Sequence, residues 1–169
     1  MARPSPDFLF AKIVHGYLGS AASQAAGVPA SVPLVLMDDG KAERLPCLLV
    51  AGMEDKDSKT AARRVVKVTC MLFYRLQNQD ADAPTDAASR AQVTTRQQAS
   101  EWMDAIESRL CNLAALEAYL ATLSDAERSG WSILAYRPES TESVKRDKDD
   151  QGQSLACNVR ICLAWSVAF

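Results

Sequence analysis

The sequence has very little of the material from which catalytic and metal sites are built. It contains a single histidine, His15, so a Ser–His–Asp or Cys–His unit would have to be built on that residue. His15 is followed by Gly16 in a predicted N-terminal helix, and no nucleophile elbow, P-loop, GxGxxG or HExxH motif occurs in the chain. The sequence therefore predicts no catalytic residue, no cofactor-binding residue and no metal ligand, and a protein that is not an enzyme.

Acidic residues are present, but they fall in two predicted turns. These are Asp38, Asp39, Glu54, Asp55 and Asp57, and they alternate with Lys41, Lys56 and Lys59. Carboxylates of this kind can hold magnesium, but charged side chains in turns normally remain solvated. We therefore interpret both clusters as solvated turns. If the chain were an enzyme with an unrecognised site, we would expect its pocket around Asp38 and Glu54.

The five cysteines include no CxxC pair. Cys47, Cys70, Cys157 and Cys162 lie in apolar, strand-like surroundings, which indicates reduced and buried thiols. A metal shared by Cys157 and Cys162 is not expected, because a spacing of five places two residues on opposite faces of one strand.

Long hydrophobic runs and an excess of one charge are also missing. No stretch approaches the roughly 20 apolar residues of a membrane span, and the first ten residues contain no apolar run of signal length. We therefore expect no membrane association and a protein made in a cytoplasm. The 19 basic and 21 acidic residues give a net charge of −2, which argues against non-specific binding of nucleic acid by the whole surface.

Two segments have the alternation of β-strands. From 155 to 169 the odd-numbered residues are apolar without interruption, which predicts one long strand with a single apolar face. Residues 63–76 are apolar at even positions and half apolar at odd positions, which predicts a strand inside a sheet. Apolar runs at 45–53 and 131–137 predict two further strands, the second ending at Pro138.

Helical spacing occurs in three places. Ser5-Pro6-Asp7 has the residues of a helix start, with Ser5 as the capping hydroxyl. Thr95-x-x-Gln98 resembles a capping box, and the apolar spacing behind it predicts an amphipathic helix that breaks at Cys111-Asn112. The leucines from Leu113 to Leu123 predict a further short helix.

This element order predicts an α+β domain over residues 1–169, with a mostly antiparallel sheet and helices packed on one face. The polar segments 77–93 and 138–152 predict flexible loops, and the second would be the projecting tip of a hairpin. The mixed charges of that tip and the polar face of the last strand predict a subunit or partner interface. Its candidate residues are Arg137, Glu139, Lys145, Arg146, Lys148, Asn158 and Arg160.

The layout of the chain resembles that of the tail terminator (tail completion) proteins of long-tailed bacteriophages. The resemblance is carried by the N-terminal helix, the strand opening LPCLLV, the long strand RVVKVTCMLFYRL, the amphipathic helix RQQASEWMDAIESRL and the terminal strand. It implies a homo-oligomeric ring, typically a hexamer, that caps the tail tube, ends tail polymerisation and provides the surface for head–tail joining. Its implied partners are further copies, the tail tube protein and the head–tail connector, with DNA passing through the lumen without specific binding.

The implied location is the tail or neck of the virion, assembled in the host cytoplasm. Two other classes of protein stay open at this point. One is a head-side neck or connector protein, which shares much of this layout. The other is a non-viral α+β binding module, which would have a discrete ligand groove and would be a monomer or dimer.

Overall fold

A computed structural model describes residues 5–36, 45–55, 63–76, 93–94, 96–148 and 154–168. The helices are α1 (Pro6–Gly19), α2 (Ala21–Ala25), α3 (Arg96–Cys111) and α4 (Leu113–Ala121), and the strands are β1 (Leu34–Leu36), β2 (Cys47–Asp55), β3 (Arg63–Leu76), β4 (Val93–Thr94), β5 (Ser132–Lys148) and β6 (Ser154–Ala168).

The strands form one sheet in the order β1-β2-β3-β6-β5, and β4 pairs with the end of β3. The pairs β2–β3, β3–β6 and β5–β6 are antiparallel, whereas the short strands β1 and β4 run parallel to β2 and β3. The helices pack against this mostly antiparallel sheet, so the predicted α+β class is confirmed. β3 lies between β2 and β6, as its two-sided apolar pattern predicts.

The inner face of the sheet, which we define as the face that carries the even-numbered residues of β3, is covered by helices. Five of these residues are buried: Val66, Val68, Cys70, Leu72 and Tyr74. They share one core with the apolar faces of α1 and α3 and with Leu163, Trp165 and Val167 of β6. The predicted helical spacing is thus correct, because Ala99, Met103, Ile106 and Leu110 of α3 are all buried.

α1 lies directly on β2. A side chain at Gly52 would overlap the backbone carbonyl of Asp7, in the first turn of α1. The helix begins at Pro6 with Ser5 as its N-cap, but the Ser5 hydroxyl makes no capping hydrogen bond, so that detail of the prediction is wrong. The break before α4 is confirmed, and there the Asn112 side chain accepts a hydrogen bond from the Ala115 amide at 3.1 Å.

The structure corrects the prediction of a loop over 138–152. β5 continues through Pro138 as far as Lys148, opposite Ser154, and residues 149–153 lie outside the described part of the chain. Pro138 is compatible with this strand because β5 is at the edge of the sheet, where a missing N–H costs no ladder bond. The other predicted loop, 77–93, lies outside the described residues except for Val93, which pairs with Arg75.

A register shift in β6 corrects a second prediction. Thr69 is opposite Cys162 but Met71 is opposite Val159, so Arg160 and Ile161 together correspond to one residue of β3. This is a β-bulge, and it exchanges the faces of a strand. Residues 163, 165 and 167 are opposite even-numbered residues of β3, whereas 155, 157 and 159 are opposite odd-numbered ones. The odd-numbered residues of 155–169 therefore do not share one face.

Because of the same shift, Cys157 and Cys162 do not lie on opposite faces of β6, so this argument against a shared metal is wrong. Both are opposite odd-numbered residues, Phe73 and Thr69, and so occupy register positions of one face. Four residues along a strand nevertheless span about 13 Å, which is too far for two thiolates on one ion. Cys47 and Cys70 form no disulfide and are buried as predicted, and Cys111 forms no disulfide and is exposed.

Candidate interface on the outer face of the sheet

The outer face of the sheet, which carries the odd-numbered residues of β3, is not part of the helix-covered core. Met71 and Phe73 of β3 and Leu49 of β2 are half-buried there. One row crosses this face from β2 to β5 and consists of Met53, Lys67, Ala164 and Arg137. Its two outermost members are exposed, since 69% of Met53 and 77% of the Arg137 side chain are accessible to solvent.

One ion pair connects β3 with β5 across this row, and a second lies within β5. Lys67 Nζ lies 3.1 Å from one carboxylate oxygen of Glu139, and an Arg137 guanidinium nitrogen lies 3.0 Å from the other. β6 runs between these strands and contributes Ala164 at the row, whose small side chain leaves room for the lysine. The hydrogen bond from Lys67, together with Arg137, holds the pKa of Glu139 below its ordinary value.

A pocket opens at the end of β2. Its volume is about 400 Å³, and it is lined by Met53, Glu54, Asp55 and Lys67. Glu54 is held at its rim, because an oxygen of its carboxylate lies 2.6 Å from Arg64 Nη1. The pocket therefore combines the exposed thioether of Met53 with charged side chains of both signs, and one of its two carboxylates is paired with Arg64.

Exposed residues also lie on β5, at the other end of this row. Leu134 lies at a register irregularity of β5, between Ile133 and Ala135, and 56% of it is exposed. Arg137 follows three residues further along the same strand, about 10 Å away. β5 thus exposes both an apolar side chain and a cation.

The structure brings together only part of the predicted interface. Arg137 and Glu139 are in direct contact. Lys145, Arg146, Lys148, Asn158 and Arg160 lie within β5 and β6, and only their backbone positions are described. Lys145 is opposite Cys157 and Arg146 opposite Ala156, so these two neighbours occupy alternate faces. The predicted set is therefore divided between both faces of the sheet.

Sequence reasoning missed Lys67, Met53 and Leu134. Lys67 is a lone cation inside an otherwise apolar strand, which could have indicated a partner across the sheet. The partner could not be found from the sequence, because Glu139 lies 72 residues further along the chain in a polar segment that predicts a loop. Met53 and Leu134 carried no signal, since single exposed apolar residues are common on protein surfaces.

The helical side of the molecule holds a buried polar network that joins α1, α2 and α3. The Tyr17 hydroxyl donates to the Arg109 carbonyl at 3.0 Å, and Arg109 Nε donates to the Ser23 hydroxyl at 2.8 Å. The guanidinium also lies over the Tyr17 ring, 4.7 Å from its centroid. Burial raises the pKa of Tyr17, and the charge of Arg109 opposes this effect. The Tyr17 hydroxyl, the Arg109 Nε and the Ser23 hydroxyl each have a partner here, and these bonds tie the three helices together.

His15 contacts backbone. Its Nε2 lies 3.3 Å from the Leu34 carbonyl oxygen, where it can form a hydrogen bond. Asp38, Asp39 and Asp57 lie outside the described residues. Within the part of the chain that is described, no three histidine, cysteine or acidic side chains are grouped as metal ligands would be. No helix there is long and apolar enough to cross a membrane.

No protein-family model matches the chain, and no curated protein is significantly similar to it in sequence. The interface is therefore interpreted from its own geometry. β5 exposes a cation and an apolar side chain, and the pocket at the end of β2 exposes Met53 beside charged groups of both signs; surfaces of this kind can contact other proteins. Their arrangement offers no nucleophile with an adjacent base.

Proposed function

We propose that this protein is a virion structural protein of a long-tailed bacteriophage. It forms a ring on the last ring of the tail tube, ends tail polymerisation and provides the surface for head–tail joining. The observation that carries the proposal is the division of the sheet into a helix-covered inner face and an outer face crossed by a row whose two ends, Met53 and Arg137, are exposed. A domain built in this way keeps its core intact while its second face and both sheet edges meet neighbouring subunits.

The proposed mechanism is capping by shape. Bound to the end of the tube, the ring occupies the surface to which the next tube subunit would add, so growth stops without any chemical step. The face of the ring that points away from the tube then meets the head–tail connector. A net charge of −2 suits a lumen through which DNA slides without sticking, because such a surface lacks the excess of positive charge that holds phosphates.

The test is electron microscopy of the particles that form when the gene is deleted from its phage. We expect overlong tails without heads, together with filled heads. Supplying the wild-type gene in trans should restore tails of uniform length joined to heads, which is the control for effects on neighbouring genes.

Two other results would replace the proposal. Tails of normal length beside unattached heads would make the protein a connector on the head side of the joint. Intact and infectious particles would remove the virion function and favour a non-viral binding module.

A further inference from the structure

We draw no further inference here: the strongest candidate, the half-buried apolar patch of Leu49, Met71 and Phe73 on the outer face of the sheet, has nothing in the described part of the chain to show what covers it.

Discussion

At the residue scale, Trp165 joins three elements of the core. Its ring centroid lies 5.1 Å from that of Phe10 in α1 and 5.2 Å from that of Tyr136 in β5, and the side chain is fully buried. Within the described part of the chain, its indole N–H has no hydrogen-bond partner. The side chain therefore contributes packing at the cost of one unsatisfied donor.

This combination predicts a large difference between two substitutions of Trp165. Trp165→Ala should lower the free energy of unfolding by about 3 to 5 kcal/mol, because it leaves a cavity. Trp165→Phe should lower it by less than about 1 kcal/mol, because removal of the unpaired N–H offsets part of the lost volume. Urea denaturation measures both. Equal losses would mean that the indole N–H has a partner that contributes to stability.

Glu139 gives a second prediction at this scale, on the pH dependence of stability. Its pKa is lowered in the fold, so its ion pairs contribute above the ordinary pKa of glutamate, about 4.3, and the contribution is lost as the pH falls through the lowered pKa. Glu139→Gln should therefore lower the free energy of unfolding by about 0.5 to 1 kcal/mol at pH 7 and by much less at pH 3.

The matched control for Glu139 is Glu101→Gln. Glu101 is an exposed carboxylate on α3 that accepts a hydrogen bond from the neutral Gln97 side chain. Because this hydrogen bond joins an exposed carboxylate to a neutral amide, Glu101→Gln should lower the free energy of unfolding at pH 7 by less than Glu139→Gln does. A loss at Glu139 that is the same at pH 7 and pH 3 would show that the ion pairs contribute nothing to stability.

At the scale of elements, the bulge in β6 decides which residues belong to the core. Leu163 is buried opposite Val68, whereas Val159, beyond the bulge, is opposite Met71 of the outer face. Leu163→Asp should lower the free energy of unfolding by about 3 kcal/mol or more, because it buries an unpaired carboxylate. Val159→Asp should cost clearly less.

Thermal melting of the two aspartate variants provides the measurement, with Leu163→Ala and Val159→Ala as controls for the loss of apolar volume. If Val159→Asp unfolds the protein as completely as Leu163→Asp, the strand keeps one apolar face throughout and the register shift is wrong.

Some of these elements could be predicted from the sequence and others could not. β3 and α3 could be predicted because their buried positions are occupied by apolar residues, at a spacing of two in β3 and of three or four in α3. The extension of β5 beyond Pro138 could not, because residues 139–148 are polar and become a strand only by pairing with β6. The bulge at Arg160 and Ile161 could not be predicted, because the odd-numbered residues stay apolar on both sides of it. In the candidate interface, Arg137 and Glu139 are close in sequence, whereas Lys67 reaches them only through the sheet.

At the scale of the whole molecule, the charge balance predicts weak interaction with DNA. With 19 basic and 21 acidic residues, the protein cannot release many counterions from a duplex. We expect no retained complex with double-stranded DNA at physiological salt in a mobility-shift assay, and no preference between sequences. A basic DNA-binding protein serves as the positive control. Sequence-selective binding at that salt concentration would contradict the proposal that DNA passes without specific contacts.

The position of β6 determines when the sheet can form. β6 follows every other described element along the chain, yet it lies between β3 and β5. Until a ribosome has passed residue 154, neither β3 nor β5 has its central neighbour, and both present unpaired backbone groups. A chain released before that point has no continuous sheet. The fold thus makes translation of β6 a condition for joining β3 and β5 in one sheet.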